Sequence, residues 1–205
     1  GFAFNPTHVA GVQVFFQAIL NQNLLINVFL APKDFIIDSI KQYRITNLSS
    51  TPTFYRLLLP LEESFNSVKK ITIGGEKSDA HLISEIEKAF PNARINNVYG
   101  STETGPLFSS QNDEFFVQEK HIGRIKVVDD ELYIHKDLFG KTTQLNLVDD
   151  FYPTRDLIEW IDDEQRRFRF TSRKNELINV GGYKVNPYEV EDELNQHSKI
   201  RNVRV

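Results

Sequence analysis

The chain contains no cysteine in its 205 residues, which excludes disulfides, thiolate metal sites and a cysteine nucleophile. Methionine is absent too, and Gly1 stands where a translated chain begins; the expectation is a processed chain or, preferably, a piece of a longer one. No apolar run approaches the ~20 residues that span a bilayer, and no signal-peptide pattern opens the sequence. Neither sign of charge dominates: 24 Lys+Arg against 28 Asp+Glu leave a formal −4. That balance gives no electrostatic footprint for nucleic acid or an anionic membrane. Together these absences fit a cytoplasmic protein.

What is present is ordinary in amount, with sixteen phenylalanines supplying much of the apolar content. The length suffices for one good core, or for one domain plus a small second one. Apolar positions Val9, Val12, Phe15, Phe16, Ile19 and Leu20 recur at helical spacing, predicting a helix packed on a core, with His8 near its start as a cap. Leu24 to Leu30 reads as a strand. A helix follows to Tyr43 with Asp34 as its N-cap, then a strand from Ile45 to Leu48. Thr51-Pro52 opens the next helix, with proline in the first turn, and Val68 to Ile73 is a further strand. The stripe Leu82, Ile83, Ile86, Ala89 and Phe90 marks a helix over 78–90. Strand alternating with helix predicts a mostly parallel, helix-covered sheet.

After Gly105 the runs turn short and alternating: 122–125, 131–134 and 143–147. They predict antiparallel strands in a small β barrel or open sheet. His121 and His135 lie there without metal-site spacing and read as packing or surface residues. Arg166-Arg-Phe-Arg-Phe-Thr-Ser-Arg173 alternates charge and ring, as a strand with one solvated face does. Near the end, Gly181-Gly182 joins two short strands, and Asn186, Pro187 and Glu189 open a helix with a capping box.

The densest stretch is Asn97-Val-Tyr-Gly-Ser-Thr-Glu-Thr-Gly105. Ile95 and Val98 supply a short buried strand, and Gly100 frees the backbone to turn. On the residues alone two readings stand. One is a polar loop that caps a sheet. In the other, Tyr99 stacks on a base, Thr102 donates to a phosphate oxygen and Glu103 offers a hard oxygen to Mg²⁺. Gly74-Gly75-Glu76 also follows a strand, and ligands gather at the carboxyl ends of parallel strands, so the two turns are expected to face one crevice.

Tyr99-Gly-Ser-Thr-Glu103 resembles the Tyr-Gly-x-Thr-Glu motif of the adenylate-forming enzymes: acyl-CoA synthetases, nonribosomal adenylation domains and luciferases. Other words keep the family's order. Phe4-Asn-Pro-Thr-His-Val-Ala-Gly11 is similar to its acyl-pocket motif, and Gly74-Gly-Glu76 to its adenine-pocket turn. Tyr152-Pro-Thr-Arg-Asp156 is similar to Tyr-x-Thr-Gly-Asp, with Arg155 where most members have glycine. Arg173-Lys-Asn175 resembles the Gly-Arg-x-Asp hinge, with Ser172 and Asn175 as departures. Val185-Asn-Pro-Tyr-Glu-Val-Glu191 looks more like acyl-CoA synthetases than nonribosomal domains.

The resemblance implies an AMP-forming ligase that activates a carboxylic acid as acyl-AMP and passes it to a thiol. It implies ATP or AMP, Mg²⁺, and coenzyme A or the phosphopantetheine of a carrier protein. Thr102 and Glu103 become catalytic, with Glu103 on the metal. Gly74, Gly75, Glu76, Asn97, Tyr99, Gly100, Ser101, Asp156 and Arg173 hold the nucleotide, the last two at the ribose. His8 and Gly75 line the acid pocket, and Gly181 and Gly182 border the thiol channel. Residues 1–172 become part of the large adenylation domain (1–104 α/β, 105–172 β-rich), and 173–205 the hinge and the start of the lid. The family's phosphate loop would lie upstream and its lid lysine downstream, so the chain alone is expected not to turn over. Two alternatives are an enzyme that loads a carrier protein and a non-catalytic nucleotide or partner binder.

Overall fold

The computed structural model of the chain describes residues 1–141, 145–195, 197, 199, 200, 203 and 205. They divide into two compact units: Gly1–Thr102 with Ser109–Asp113, and Glu103–Phe108 with Glu114–Val205.

The first unit is built on a parallel sheet. Helices α1 (Val9–Leu20) and α2 (Lys33–Tyr43) precede strand β1 (Asn47–Ser50). Helix α3 (Pro52–Leu58), strand β2 (Lys70–Gly74), helix α4 (Ala80–Ala89) and strand β3 (Arg94–Ser101) follow. Strand β4 (Gly105–Ser110), within which the two units divide, completes the order β1-β2-β3-β4. The registers Ser50↔Ile73 and Ile73↔Asn97 are parallel. Side chains alternate along each strand, so Leu48, Ile71, Ile73 and Ile95 share a core with Ile36 and Ile40 of α2, Tyr55 and Leu58 of α3, and Leu82 and Ile86 of α4. Tyr55 is fully buried, and its hydroxyl donates to the carbonyls of Leu48 (2.9 Å) and Thr72 (3.2 Å), tying α3 to two strands. Burial pushes that phenol well above its ordinary value.

Local chemistry sets the helix ends. The Thr51 hydroxyl accepts from the Phe54 N–H with Pro52 in the first turn, and the Asp79 carboxylate accepts from the Leu82 N–H. Helix α2 begins two residues earlier than expected, with Pro32 at the N-cap in place of Asp34, which lies in the first turn. Strand β1 lies at Asn47–Ser50 instead of 45–48, because the chain is still closing α2 there: Arg44 takes positive φ and the Ile45 N–H donates to the Ile40 carbonyl.

Two further expectations fail in this unit. Helix α1 has the predicted bounds, but its apolar stripe is not in the core: Phe15, Phe16, Ile19 and Leu20 are 45–79% exposed, and the buried members are Gly11 and Ala18. Leu24–Leu30 is not a strand. Asn27 makes a single bridge to Phe2, which also pairs with Ser49. The Asn27 carboxamide accepts the Phe29 N–H, and Gln22 and Leu30 take positive φ, so the chain bends on both sides of that bridge.

The second unit holds an antiparallel sheet. Strands β5 (Phe115–Phe116), β6 (Ile125–Val128), β7 (Glu131–His135), β8 (Phe151–Trp160) and β9 (Arg167–Arg173) run in the order β5-β9-β8-β7-β6. That order has two edges among the described residues, so the sheet is open, not a closed barrel. Asp129 and Asp130, both with positive φ, form the two-residue turn between β6 and β7. Strand β6 starts at Ile125 because 119–121 form a 3₁₀ turn and Gly123 takes positive φ. Of the expected strand 143–147, Thr143 and Gln144 lie outside the described residues and 145–147 is not strand.

Phe168, wholly buried, centres this core with ring centroids 5.1 Å from Phe108, 5.3 Å from Phe170, 5.8 Å from Trp160 and 5.9 Å from Phe115. His121 packs edge-on to Phe108, and His135 edge-on to Phe151. The arginines of β9 face acids: Arg167 reaches Asp162, and Arg169 reaches Glu114. Strands β10 (Ile178–Val180) and β11 (Tyr183–Val185) form the expected hairpin, and α5 (Pro187–Asn195) follows. The Asn186 carboxamide accepts the Tyr188 N–H and donates to Glu189, a variant of the capping box. No helix among the described residues is long and apolar enough to cross a membrane.

Burial separates two apolar helices by measurement. Phe16→Ser, on the exposed stripe, is expected to change unfolding free energy by at most about 0.5 kcal/mol. Ile86→Ala, fully buried in α4, is expected to cost about 2–5 kcal/mol. Denaturant titration of both variants checks the difference; comparable losses would contradict the exposed placement of α1.

Candidate functional site

In the first unit the polar turns that leave β1, β2 and β3 all sit at the carboxyl edge of the sheet, because the three strands are adjacent and parallel. Gly74 faces Val98, and a Cβ there would lie 3.1 Å from the Val98 carbonyl oxygen, so glycine permits the close strand approach. Gly75 takes φ +86°, a conformation that L side chains rarely adopt. The backbone thus demands this glycine pair before any ligand is considered.

The following segment is pinned at three points. The Glu76 carboxylate accepts from the Thr53 N–H (3.1 Å) and hydroxyl (2.5 Å) at the start of α3. The Asn97 carboxamide donates to Ser78 Oγ (2.7 Å) and to the Asn112 carbonyl (2.9 Å). Asp79 caps α4 through Leu82 N–H (2.7 Å) and meets Arg56 at 2.6 Å. Burial raises the Asp79 carboxyl, but the Leu82 N–H and the Arg56 guanidinium outweigh it and hold the pKa below its ordinary 3.8.

Asn97 is itself buried, on the strand parity that buries Ile95, while Val98 is half-buried. Both of its donated bonds go to protein oxygens. Tyr99 is half-buried at the end of β3, Gly100 and Ser101 are exposed, and Thr102 opens the turn. His8 occupies the N-cap of α1 without a side-chain bond and is exposed. Asn5 takes over that part of the turn: its carboxamide oxygen accepts from the Thr7 N–H and hydroxyl.

In the second unit Glu103 is an exposed carboxylate whose backbone carbonyl accepts from the Gly140 N–H. Asp156 and Arg173 are direct cross-strand partners on β8 and β9. The Asp156 carboxylate is nearly buried and takes the Arg173 Nε–H at 2.6 Å, while the Arg173 side chain is half-exposed. Arg155 lies in the left-handed region at φ +65°, a backbone conformation that favours glycine. Its N–H points to Glu131 Oε1 at 2.8 Å. Ser172 is buried opposite Leu157, where only a small side chain is present. Gly181 and Gly182 have φ +58° and +92° and make the hairpin turn by their backbone freedom.

Sequence reasoning missed Glu131, Thr53 and Ser78. Glu131 is 3% exposed, and its partners lie 24 and 43 residues away, so no local spacing announces it. Its second oxygen accepts from Lys174 Nζ at 3.0 Å, which raises the Lys174 pKa. Among the described residues no cluster of three or more His, Asp or Glu side chains is positioned to hold a metal ion.

A model of the AMP-binding enzyme family matches residues 5–145. The chain is 27% identical to 2-succinylbenzoate–CoA ligase of Staphylococcus epidermidis, over 90% of this chain and 42% of that protein. It is 23% identical to tyrocidine synthase 3 of Brevibacillus parabrevis, over 81% of this chain and 3% of that one. Among solved structures, o-succinylbenzoate CoA synthetase of Bacillus subtilis in complex with its acyl-adenylate intermediate gives a TM-score of 0.69 at 20% identity, covering 99% of this chain and 46% of that one. The same enzyme in complex with ATP and magnesium ion gives 0.66 at 20% identity, over 93% and 44%. The chain spans less than half the length of these relatives, and the solved structures establish a shared fold.

Two stability tests follow from this geometry. Arg155→Gly is expected to leave stability unchanged or raise it, because relief of left-handed strain offsets glycine's entropy, whereas Arg155→Val is expected to lose more than about 1 kcal/mol. Thermal melts decide it; a clear loss in the glycine variant would contradict the assigned backbone. Asp79→Ala is expected to cost about 1–2 kcal/mol at neutral pH. Because the folded pKa is lowered, the contribution is full above the unfolded value and is lost as pH falls through the folded one. The gap between wild type and variant should therefore close below about pH 3.8, and a gap independent of pH would contradict the ionised cap.

Proposed function

The chain belongs to the AMP-binding enzyme family, and on that premise we propose that it is part of an AMP-forming, ATP-dependent acid–thiol ligase of the acyl-CoA synthetase kind. In such a ligase a carboxylate oxygen attacks the α-phosphorus of ATP. The bond to the bridging oxygen breaks, and pyrophosphate leaves with the electron pair. A thiolate then attacks the acyl carbonyl, forming the C–S bond as AMP departs. Little covalent chemistry falls to the protein, so positioning and charge stabilisation carry the rate.

The roles proposed are those the family resemblance implies, residue by residue. Tyr99, half-buried at a strand end, stacks on adenine, with Gly74, Gly75, Glu76, Gly100 and Ser101 around the nucleotide and Asn97 holding their turns in place. The Thr102 hydroxyl donates to an α-phosphate oxygen. Asp156 has two acceptor oxygens for the two ribose hydroxyls, and Arg173 makes a second ribose or phosphate contact. His8, solvent-facing, and Gly75 border the acid, and Gly181 and Gly182 the thiol. Mg²⁺ in nucleotide sites needs only one or two carboxylates beside phosphate oxygens, and the exposed Glu103 fits that need. When bound, the ion supplies charge neutralisation of the phosphates. The same reading makes 1–172 part of the large domain and 173–205 the hinge and start of a lid, in a cytoplasmic enzyme.

The observation that most supports this reading is the common edge. Gly-Gly-Glu and Tyr-Gly-Ser-Thr leave neighbouring parallel strands at the end where α/β sheets bind ligands. In the protein that carries this chain, ATP–pyrophosphate exchange is expected to depend on a carboxylic acid drawn from short, branched and aromatic candidates. Asp156→Ala is expected to lower kcat/KM for ATP by about 10–100-fold, the value of hydrogen bonds to a charged acceptor. Exchange that no acid stimulates, or an unimpaired Asp156→Ala enzyme, overturns the reading. Coenzyme A and a holo-carrier protein, assayed side by side, identify the thiol.

A further inference from the structure

We propose that Glu131 is a positioning residue that presets the Asp156–Arg173 pair for a ribose; the inference rests on the nucleotide reading above. The sheet is irregular where these residues lie. The β7–β8 register shifts between Glu131 and Tyr133, and the β8–β9 register shifts between Leu157 and Ile158. Such bulges re-aim side chains and interrupt the regular ladder bonds. The Arg155 N–H is bonded to the Glu131 carboxylate, at 2.8 Å, instead of to a strand carbonyl.

The other carboxylate oxygen takes Lys174 Nζ at 3.0 Å, and the Lys174 N–H donates to the Arg155 carbonyl at 2.7 Å. Arg155 directly precedes Asp156, and Lys174 directly follows Arg173. Glu131 thus grips the outer neighbour of each member of the pair. The next residue of β7 adds a further restraint: Thr154 Oγ1 donates to the Leu132 carbonyl at 2.8 Å and accepts the Asp156 N–H at 3.1 Å.

A carboxylate 3% exposed is costly to desolvate. It gains here an N–H and an ammonium that together fix the direction of the Asp156 corner. Glutamine at 131 keeps the shape and an acceptor for Arg155 but loses the attraction for Lys174. Methionine at 174 removes the same attraction from the half-exposed side.

The test compares AMP with 2′,3′-dideoxy-AMP by calorimetry on the full-length protein and on its Glu131→Gln and Lys174→Met variants. Wild type is expected to prefer AMP by about tenfold or more. Both variants are expected to bring that preference within about threefold while leaving dideoxy-AMP affinity within about twofold. A wild type that binds neither nucleotide, or both alike, overturns the ribose assignment and this inference with it. A wild-type preference that both variants retain overturns only the inference, and so does equal weakening of both nucleotides, which is what a general structural buttress would give. If Glu131→Gln does not fold, Lys174→Met alone decides by the same criteria.

Discussion

The parallel register of β2 against β3, with Gly74 opposite Val98, constrains most of what the first unit presents. Parallel strands joined through helices end at one edge, and every connection must leave there. The turn after β2 must clear the Val98 carbonyl, which Gly74 allows, and then reverse through Gly75. Having turned, it is held by Glu76 on the start of α3, by Asn97 on Ser78 and by Asp79 on α4. The Glu76 and Asp79 carboxylates satisfy N–H groups that the starts of α3 and α4 leave over, and the Asn97–Ser78 bond ties two side chains. A rigid polar rim follows from the topology, before any ligand is named.

The second unit reaches a rigid polar corner by a different route. An antiparallel sheet supplies regular partners except at a bulge, and the bulges here fall on both ladders of β8. A buried carboxylate substitutes for the missing backbone acceptor. Hydrophobic residues of similar volume often stabilise a fold as well as a buried ion pair does. What they do not supply is a directed N–H contact, and that direction is the property a diol-binding aspartate needs. Arg155 fits the same picture: a left-handed residue beside Asp156 is the backbone counterpart of the bulge.

Local features were legible in the sequence. The bounds of α1, the Thr51-Pro52 start of α3, the Gly181-Gly182 hairpin and the order of strand and helix follow from capping, periodicity and turn chemistry. The misses share one cause, distance along the chain. The apolar stripe of α1 identifies a face but not what covers it. Leu24–Leu30 is apolar enough for a strand, yet a strand needs a partner along its length, and only Asn27 has one. Closure of the antiparallel sheet depends on strand number and shear, which short alternating runs do not encode. Asn97, expected at the nucleotide, also ties two loops through Ser78 and Asn112, contacts that its local sequence does not announce. Glu131 carries no local signal because its partners come from β8 and from the residue just after β9.

The proposed nucleotide site turns on the Asp156 carboxylate, seated against Arg173 on an irregular sheet, as the acceptor for a ribose. A crystal structure of the protein with AMP tests it most directly. Both ribose hydroxyls are expected within about 3.2 Å of the Asp156 oxygens, with Arg173 beside the ribose or the phosphate. AMP bound with its ribose away from Asp156, and Arg173 still closed on that carboxylate alone, would contradict it.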